Sequence, residues 1–343
     1  MIGSFIAADL TTGVPTVTGA PGIWSPKQIF DYRRQGVWPL AQNAAVRPTD
    51  KGFIVSGVQS GGTYPGRTDS QRWTYSTETV TDLTMGISPG LCLTASYCTN
   101  NTGTAGYCCG GYNSNSTYNN SSKCAYATET ISTLSNLPYS ARYGAAGVSA
   151  QLKGYVGGGL VSSTVVKDLC TLTMSTDTFA TAIFEFTSAD FHYPGCPIRN
   201  QYKACFIGGS SISATTNKCN RLNFATETMS QMADFLTSVQ NGNGMTKNEA
   251  YPANMYLLGG ESNQSTYKAT FAAETWSLIS ATGMTDTAKG WGHRFGGTDA
   301  GYVMEGSLGT GGTTKFLFAT EIGASASVGT VRALGFAFNL GGG

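Results

Sequence analysis

The sequence predicts an all-β fold assembled from six copies of one four-stranded unit, and three observations carry that expectation. Composition favours strands and turns: the 343 residues include 45 Gly, 17 Tyr and 16 Phe, with abundant Thr, Ser and Asn and few of the good helix formers Lys, Glu and Leu. A Thr-acid-Thr element or a near variant is centred on Glu78, Glu129, Asp177, Glu227, Glu274 and Glu321, at separations of 51, 48, 50, 47 and 47 residues. Ahead of each acidic residue stands a short apolar run ending in glycine. A near-constant period of this size marks a repeat architecture, in which each unit buries its apolar face against its neighbours.

Within one unit the elements follow a fixed order. The glycine-ended runs are GFIVSG at 52, GYCCGG at 106, GYVGGG at 154, ACFIGG at 204, MYLLGG at 255 and GYVMEG at 301, each reading as a short buried strand. A polar Ser, Asn and Thr loop follows, then an alternating run such as Trp73-Thr74-Tyr75-Ser76 or Leu222-Asn223-Phe224-Ala225, which has the period of a strand and completes a hairpin. The acidic residue belongs in the turn to the next strand, where short polar side chains bond nearby backbone N–H groups. After it come an outer apolar segment, such as Ile131 to Leu137, and a stretch such as Arg142 to Ser149 that leads into the next unit. Four short strands per unit make a propeller blade, and glycine on crowded innermost strands lets backbones approach. Arg332 to Leu340 follows the sixth acid as Arg142 to Ser149 follows the second, so it is expected to complete the blade containing Gly52 to Gly57.

This order resembles the kelch repeat, whose double glycine and downstream aromatic match Gly259-Gly260 and Trp276. The variant present here, an aromatic strand running into Thr-Glu-Thr and on to Gly-Tyr-x-x-Gly-Gly, is similar to the kelch-like repeats of bacteriophage tail and other virion proteins. The resemblance spans residues 51 to 343 and implies a six-bladed kelch-like β-propeller; Asp177 in the third unit and Met304-Glu305-Gly306 in the sixth depart from its pattern. It further implies a non-enzymatic structural component of the virion, in the tail, neck or baseplate region, assembled in the host cytoplasm in several copies per particle. Partners would be other virion proteins and a host surface glycan or protein. A cellular kelch-type interaction module and a carbohydrate-binding or carbohydrate-processing propeller are the alternatives.

Residues 1 to 50 carry no repeat but do carry helix signals. Ser25 and Gln28 form a capping box, Pro26 suits the first helical position, Trp24 and Ile29 have staple spacing, and Gly36 fits the C-terminal stop. A helix over 26–35 is too short to stand alone and must dock. Trp24, Ile29, Phe30, Tyr32 and Trp38 are the candidate docking residues, resting either on the propeller's own face or on another protein. The stretch from Gly22 to Pro39, with a tryptophan at each end of a small helix, also resembles an N-terminal signature of phage tail-associated proteins.

Charge and motifs narrow the function classes. Only 12% of residues are charged and the formal net charge is +1, so no basic field exists to attract nucleic acid or an anionic membrane. No apolar run reaches the roughly 20 residues needed to span a bilayer, and the N-terminus lacks an export signal, so a soluble chain is expected. The nine cysteines all lie between Cys92 and Cys219 and read as mostly free, buried thiols. Cys108 and Cys109, as strand neighbours, point to opposite faces, whereas Cys205 with Cys219 remains geometrically possible as a pair. Two histidines, His192 and His293, scarcely furnish the copper centre of a galactose-oxidase-like propeller. Ser175-Thr176-Asp177 lacks the rest of a sialidase Asp box, and Asn115, Asn120 and Asn263 open glycosylation sequons that composition alone produces. No catalytic, cofactor or metal site is expected, and the six acids are read as structural. The polar loops at 111–122 and 209–218 suit either sugar or protein contact, or plain exposure to solvent.

Overall fold

The computed structural model describes residues 51–55, 68–87, 96–99, 104–113, 116–150, 153–189, 195–200, 202–210, 214–238, 243–245, 253–260, 263–280, 293–296, 299–304, 313–326 and 336–339. The helix expected over 26–35 and the docking candidates Trp24, Ile29, Phe30, Tyr32 and Trp38 lie outside the described residues. Among the described residues there is no helix, and the chain is all-β.

Among the described residues, six antiparallel sheets of four strands recur. The first sheet has the order β26 (Phe336–Asn339), β1 (Lys51–Val55), β2 (Ser70–Thr74), β3 (Thr79–Leu83). The second contains β4 (Ser96–Thr99), β5 (Ala105–Asn113), β6 (Ser116–Ala125) and β7 (Thr130–Thr133). The third contains β8 (Ala146–Ser149), β9 (Lys153–Gly157), β12 (Asp168–Thr173) and β13 (Thr178–Glu185), with a ribbon of β10 (Leu160–Val161) and β11 (Thr164–Val165) between its second and third strands. The fourth contains β14 (Gly195–Arg199), β15 (Lys203–Ser210), β16 (Thr215–Asn223) and β17 (Thr228–Gln231). In the fifth are β18 (Asn243–Met245), β19 (Asn254–Gly260), β20 (Asn263–Thr270) and β21 (Ser277–Ser280). The sixth comprises β22 (His293–Gly296), β23 (Ala300–Met304), β24 (Thr313–Leu317) and β25 (Ile322–Ala326).

The first sheet draws strands from both ends of the described chain. β26 pairs with β1 in the register Gly52↔Asn339 through Val55↔Phe336, so the strand expected from Arg332 to Leu340 does complete the first unit. Burial falls from the second strand to the fourth: in the first sheet β1 is buried at four of five positions, whereas β3 is mostly exposed. The outer strands TVTDL, TIST and TMSQ are short and polar, which blunts an edge that would otherwise recruit another strand.

The glycine-ended run is the second strand of its sheet, paired on both sides, and not the innermost strand that the sequence suggests. Its double glycine does not serve close packing at an axis. Gly110 and Gly111, Gly158 and Gly159, and Gly208 and Gly209 all have positive φ, and the register slips at Cys109/Gly111 and Ile207/Gly209. The pairs therefore build bulges that re-aim the hairpin beyond them, a conformation β-carbon sterics deny to most other residues.

Six apolar clusters lie between successive sheets. Phe53, Val55, Cys108 and Cys124 join the first to the second; Tyr107, Cys109, Val156 and Leu172 join the second to the third. Tyr155 and Leu169 meet Phe206 and Leu222 across the next seam, and Cys205 and Ile207 meet Met255 and Leu257 across the one after. Tyr256 and Leu258 then meet Val303 and Phe316. The last cluster packs Ile54 and Trp73 of the first sheet against Tyr302 and Met304 of the sixth, with the Trp73 and Tyr302 rings 5.2 Å apart. The first strands also meet in the cyclic sequence β4, β8, β14, β18, β22, β26 and back to β4.

Candidate functional site: carboxylates between the sheets

Every acid of the repeat sits in the turn between the third and fourth strands of its sheet, in the left-handed conformation. The φ values are 51° at Glu78, 52° at Glu129, 53° at Asp177, 50° at Glu227, 54° at Glu274 and 57° at Glu321. Of seven described non-glycine residues with positive φ, these acids are six, so a position that glycine fills without strain is given to a carboxylate in every repeat. The flanking threonines hydrogen-bond to each other at 2.7 Å in four of the turns: Thr77 with Thr79, Thr128 with Thr130, Thr176 with Thr178, and Thr226 with Thr228.

The sequence leads one to expect these side chains to face solvent or nearby backbone. They instead reach into the preceding sheet. Glu129 of the second sheet accepts from Lys51 at 3.1 Å and Arg72 at 2.7 Å, both of the first. Asp177 accepts from the Tyr107 hydroxyl at 2.9 Å and from Lys123 at 2.8 Å. Glu227 takes Tyr155 at 2.9 Å together with Lys153, and Glu274 takes Arg221 at 2.8 Å together with Lys203. Glu321 accepts from Tyr256 at 3.0 Å and from Lys268. The last link returns to the start: Glu78 of the first sheet accepts from Tyr302 at 2.8 Å and from Lys315, both of the sixth.

These donors are placed in three ways, and the differences compensate one another. Where the second residue of the glycine-ended run is tyrosine, its hydroxyl is one donor; in the first and fourth sheets that residue is Phe53 and Cys205, and two cations serve instead. One cation comes from the residue paired with that position on the third strand: Arg72, Lys123, Arg221, Lys268 and Lys315. In the third sheet the paired residue is Thr171, and Lys153, two residues before Tyr155, takes over. Where tyrosine and a third-strand lysine act together, the ammonium lies 5.8 to 5.9 Å from the ring centroid of Tyr107, Tyr256 and Tyr302, adding a cation–π contact. Aligning the repeats by their acids and comparing those two columns would have revealed the pattern in the sequence.

The electrostatics follow from the pairing. The Lys315 hydrogen bond holds the Glu78 carboxyl below its usual range against the opposing effect of burial, and the Lys153 bond does the same for Glu227. Burial alone would raise Glu129, but its bonds to Arg72 and Lys51 outweigh it and the net shift is downward. Burial, reinforced by the carboxylate each bonds, raises the phenols of Tyr155 and Tyr302. The phenols of Tyr155 and Tyr302 are thus donors held protonated, and Glu78, Glu129 and Glu227 are acceptors held ionised. Such groups fasten sheets together; each carboxylate serves a different seam, and among the described residues no three His, Cys, Asp or Glu side chains gather where they could hold a metal ion.

Six described cysteines, Cys108, Cys109, Cys124, Cys170, Cys205 and Cys219, are buried thiols outside any disulfide, so Cys205 and Cys219 do not bridge each other. Burial pushes the thiols of Cys124, Cys205 and Cys219 up to about 12, which leaves little thiolate to react.

No protein-family model matches the chain, and comparison with curated proteins gives no match either.

Proposed function

We propose that the six sheets close into a kelch-like β-propeller and that the chain is a non-enzymatic structural component of a bacteriophage virion, in its tail, neck or baseplate region. The observation that carries the reading is the cycle of seams: a linear stack of six sheets has five, whereas six apolar clusters and six carboxylate bridges occur here, the sixth of each joining the last sheet to the first. β26 fastens that same seam a second time by backbone pairing. A module fastened this way is rigid and carries its acids as cross-links. Support for the virion comes from the resemblance of the repeat and of the segment from Gly22 to Pro39 to phage tail-associated proteins. In this reading the leader, through Trp24, Ile29, Phe30, Tyr32 and Trp38, docks the chain to another virion protein, and the ring serves as a docking or host-facing module.

The test is incorporation into particles. A chain beginning at Pro48 should remain a folded, β-rich monomer yet be missing from purified particles, and so should the full chain carrying Trp24→Ala with Trp38→Ala. Full incorporation of either, measured by mass spectrometry of purified particles, would refute the anchoring role. Encoding of the chain away from virion genes would refute the virion reading itself.

A further inference from the structure

The sixth unit departs from the others on the hairpin of its third and fourth strands. The residue after the acid is exposed in every unit; it is Thr79, Thr130, Thr178, Thr228 and Thr275 in the first five, but Ile322 in the sixth. Its cross-strand partner is Thr74, Ala125, Thr173 and Asn223 in the first four sheets, but Leu317 in the sixth. Ile322 is 60% exposed and Leu317 36%, side by side on one face of the sheet. Exposed Ala324, two residues along β25, extends that face. Threonine serves this turn in five units, so the turn does not require the aliphatic pair, and water does not favour it.

The pair borders an open edge. β25 is the last strand of its sheet, and among the described residues no strand pairs with its outer side. The outer strands of the first, second and fourth sheets show only Thr, Ser, Asp or Gln at their exposed positions, which protects such an edge. β25 reads Ile-Gly-Ala-Ser-Ala: it has no charge and, beyond Ile322, only small residues, so little obstructs a strand laid beside it. Lys315, which stands opposite Ala324, is held by Glu78.

From this arrangement we propose that β25 is a self-association edge. A second copy of the chain pairs its own β25 antiparallel to the first about a two-fold axis at Ala324, which joins the two sixth sheets and sets Ile322 beside the small-residue end of the other copy's strand. A second copy is the occupant that charge favours. A strand paired with its own copy brings like charges together wherever it is charged, as Asp82 would in β3, and β25 has no such charge. With a formal net charge of +1 on 343 residues, two copies also approach without long-range repulsion. One short strand and a few aliphatic side chains make a small interface, so pairing is weak: dilute protein is monomeric, and dimers form where copies are concentrated. The proposal goes beyond the virion reading and does not rest on it, since association is measured on the isolated full chain and incorporation on particles.

Sedimentation velocity of the full chain from about 1 to about 200 µM should show a monomer at the dilute end and a reversible dimer at the concentrated end. Deuterium uptake by peptides covering 322–326 should slow as concentration rises, while uptake by peptides covering β3 or β17 should not. Leu317→Thr with Ile322→Thr, which gives the sixth unit the threonine pair of the first and third, should weaken dimerisation by about ten-fold or more at an unchanged unfolding midpoint. Ala324→Lys, which leaves both aliphatic residues in place but sets like charges across the axis, should abolish it. Leu278→Thr, which removes an exposed leucine from the outer strand of the fifth sheet, should leave it unchanged. A monomer at every concentration, a dimer indifferent to both the threonine pair and Ala324→Lys, loss of the dimer on Leu278→Thr, or protection that spares 322–326 would overturn the proposal.

Discussion

Replacing Glu274 by glutamine tests whether the inter-sheet bridges hold the repeat together. Glu274 is the least exposed of the six acids, at 14% of its side-chain surface, and it accepts from Lys203 and Arg221, which are 20% and 37% exposed. Glutamine preserves length and the left-handed turn while removing the charge, so the backbone strain is common to both proteins and cancels. An exposed ion pair contributes about 0.2 to 1 kcal/mol, and the two pairs here, partly shielded, belong near the upper end, giving a loss of about 1 to 2 kcal/mol. For a domain of this size that corresponds to a fall of at most about 4 °C in midpoint per kcal/mol. The assay is denaturant unfolding of the wild type, Glu274→Gln, Arg221→Met and the double variant. Arg221 also donates to Ser230 at 3.1 Å, so its single substitution carries a further cost that the cycle subtracts. A coupling energy of about 0.5 to 1 kcal/mol is expected. Zero coupling, with a glutamine variant as stable as the wild type, would show that the carboxylate merely occupies its turn and fastens nothing.

Deleting residues 331 to 343 removes β26 and exposes β1 along one edge, so the unfolding midpoint should drop markedly, and an unaltered midpoint would refute closure by strand exchange. Because Glu78, Glu129 and Glu227 titrate below their ordinary range when folded, the stability they contribute is complete above that range and is lost as pH falls through the lowered folded values. A triple glutamine variant should therefore show a flatter decline of midpoint with acidification below about pH 5 than the wild type, and parallel curves would argue against the linkage. Gly159→Ala should destabilise by more than about 1 kcal/mol, since its φ is +89° and an added β-carbon would sit 2.7 Å from the Tyr143 carbonyl oxygen; thermal unfolding at wild-type temperature would contradict this. Cys124, Cys205 and Cys219 should resist a chromogenic disulfide reagent in the native protein and react on unfolding, which peptide mapping of the labelled thiols would verify.

The local chemistry was legible in the chain because it repeats. Six acids at a near-constant period, each behind an alternating strand, specify turns and hairpins by rules that act within a few residues, and Glu78 and its counterparts occupy those turns. The final strand was legible for the same reason, since Arg332 to Leu340 had the spacing of the segments that open other units. The free thiols followed from an odd, uneven distribution of cysteine.

What tertiary structure decided was direction. Periodicity states that an acid recurs but not whether its carboxylate turns back on its own backbone or crosses to the neighbouring sheet, because the partners of Glu78, Tyr302 and Lys315, lie 224 and 237 residues away. Likewise a double glycine signals a backbone other residues avoid, and only the register shows a bulge on the second strand where crowding on the first had been expected. The clamp of Arg142 on Asp168 has no repeat to announce it, and it forms because two segments 26 residues apart meet where burial makes an unpaired guanidinium costly. Short-range sterics and hydrogen bonding are written in neighbouring residues, whereas long-range electrostatics depends on which groups the packing of one sheet against the next removes from water.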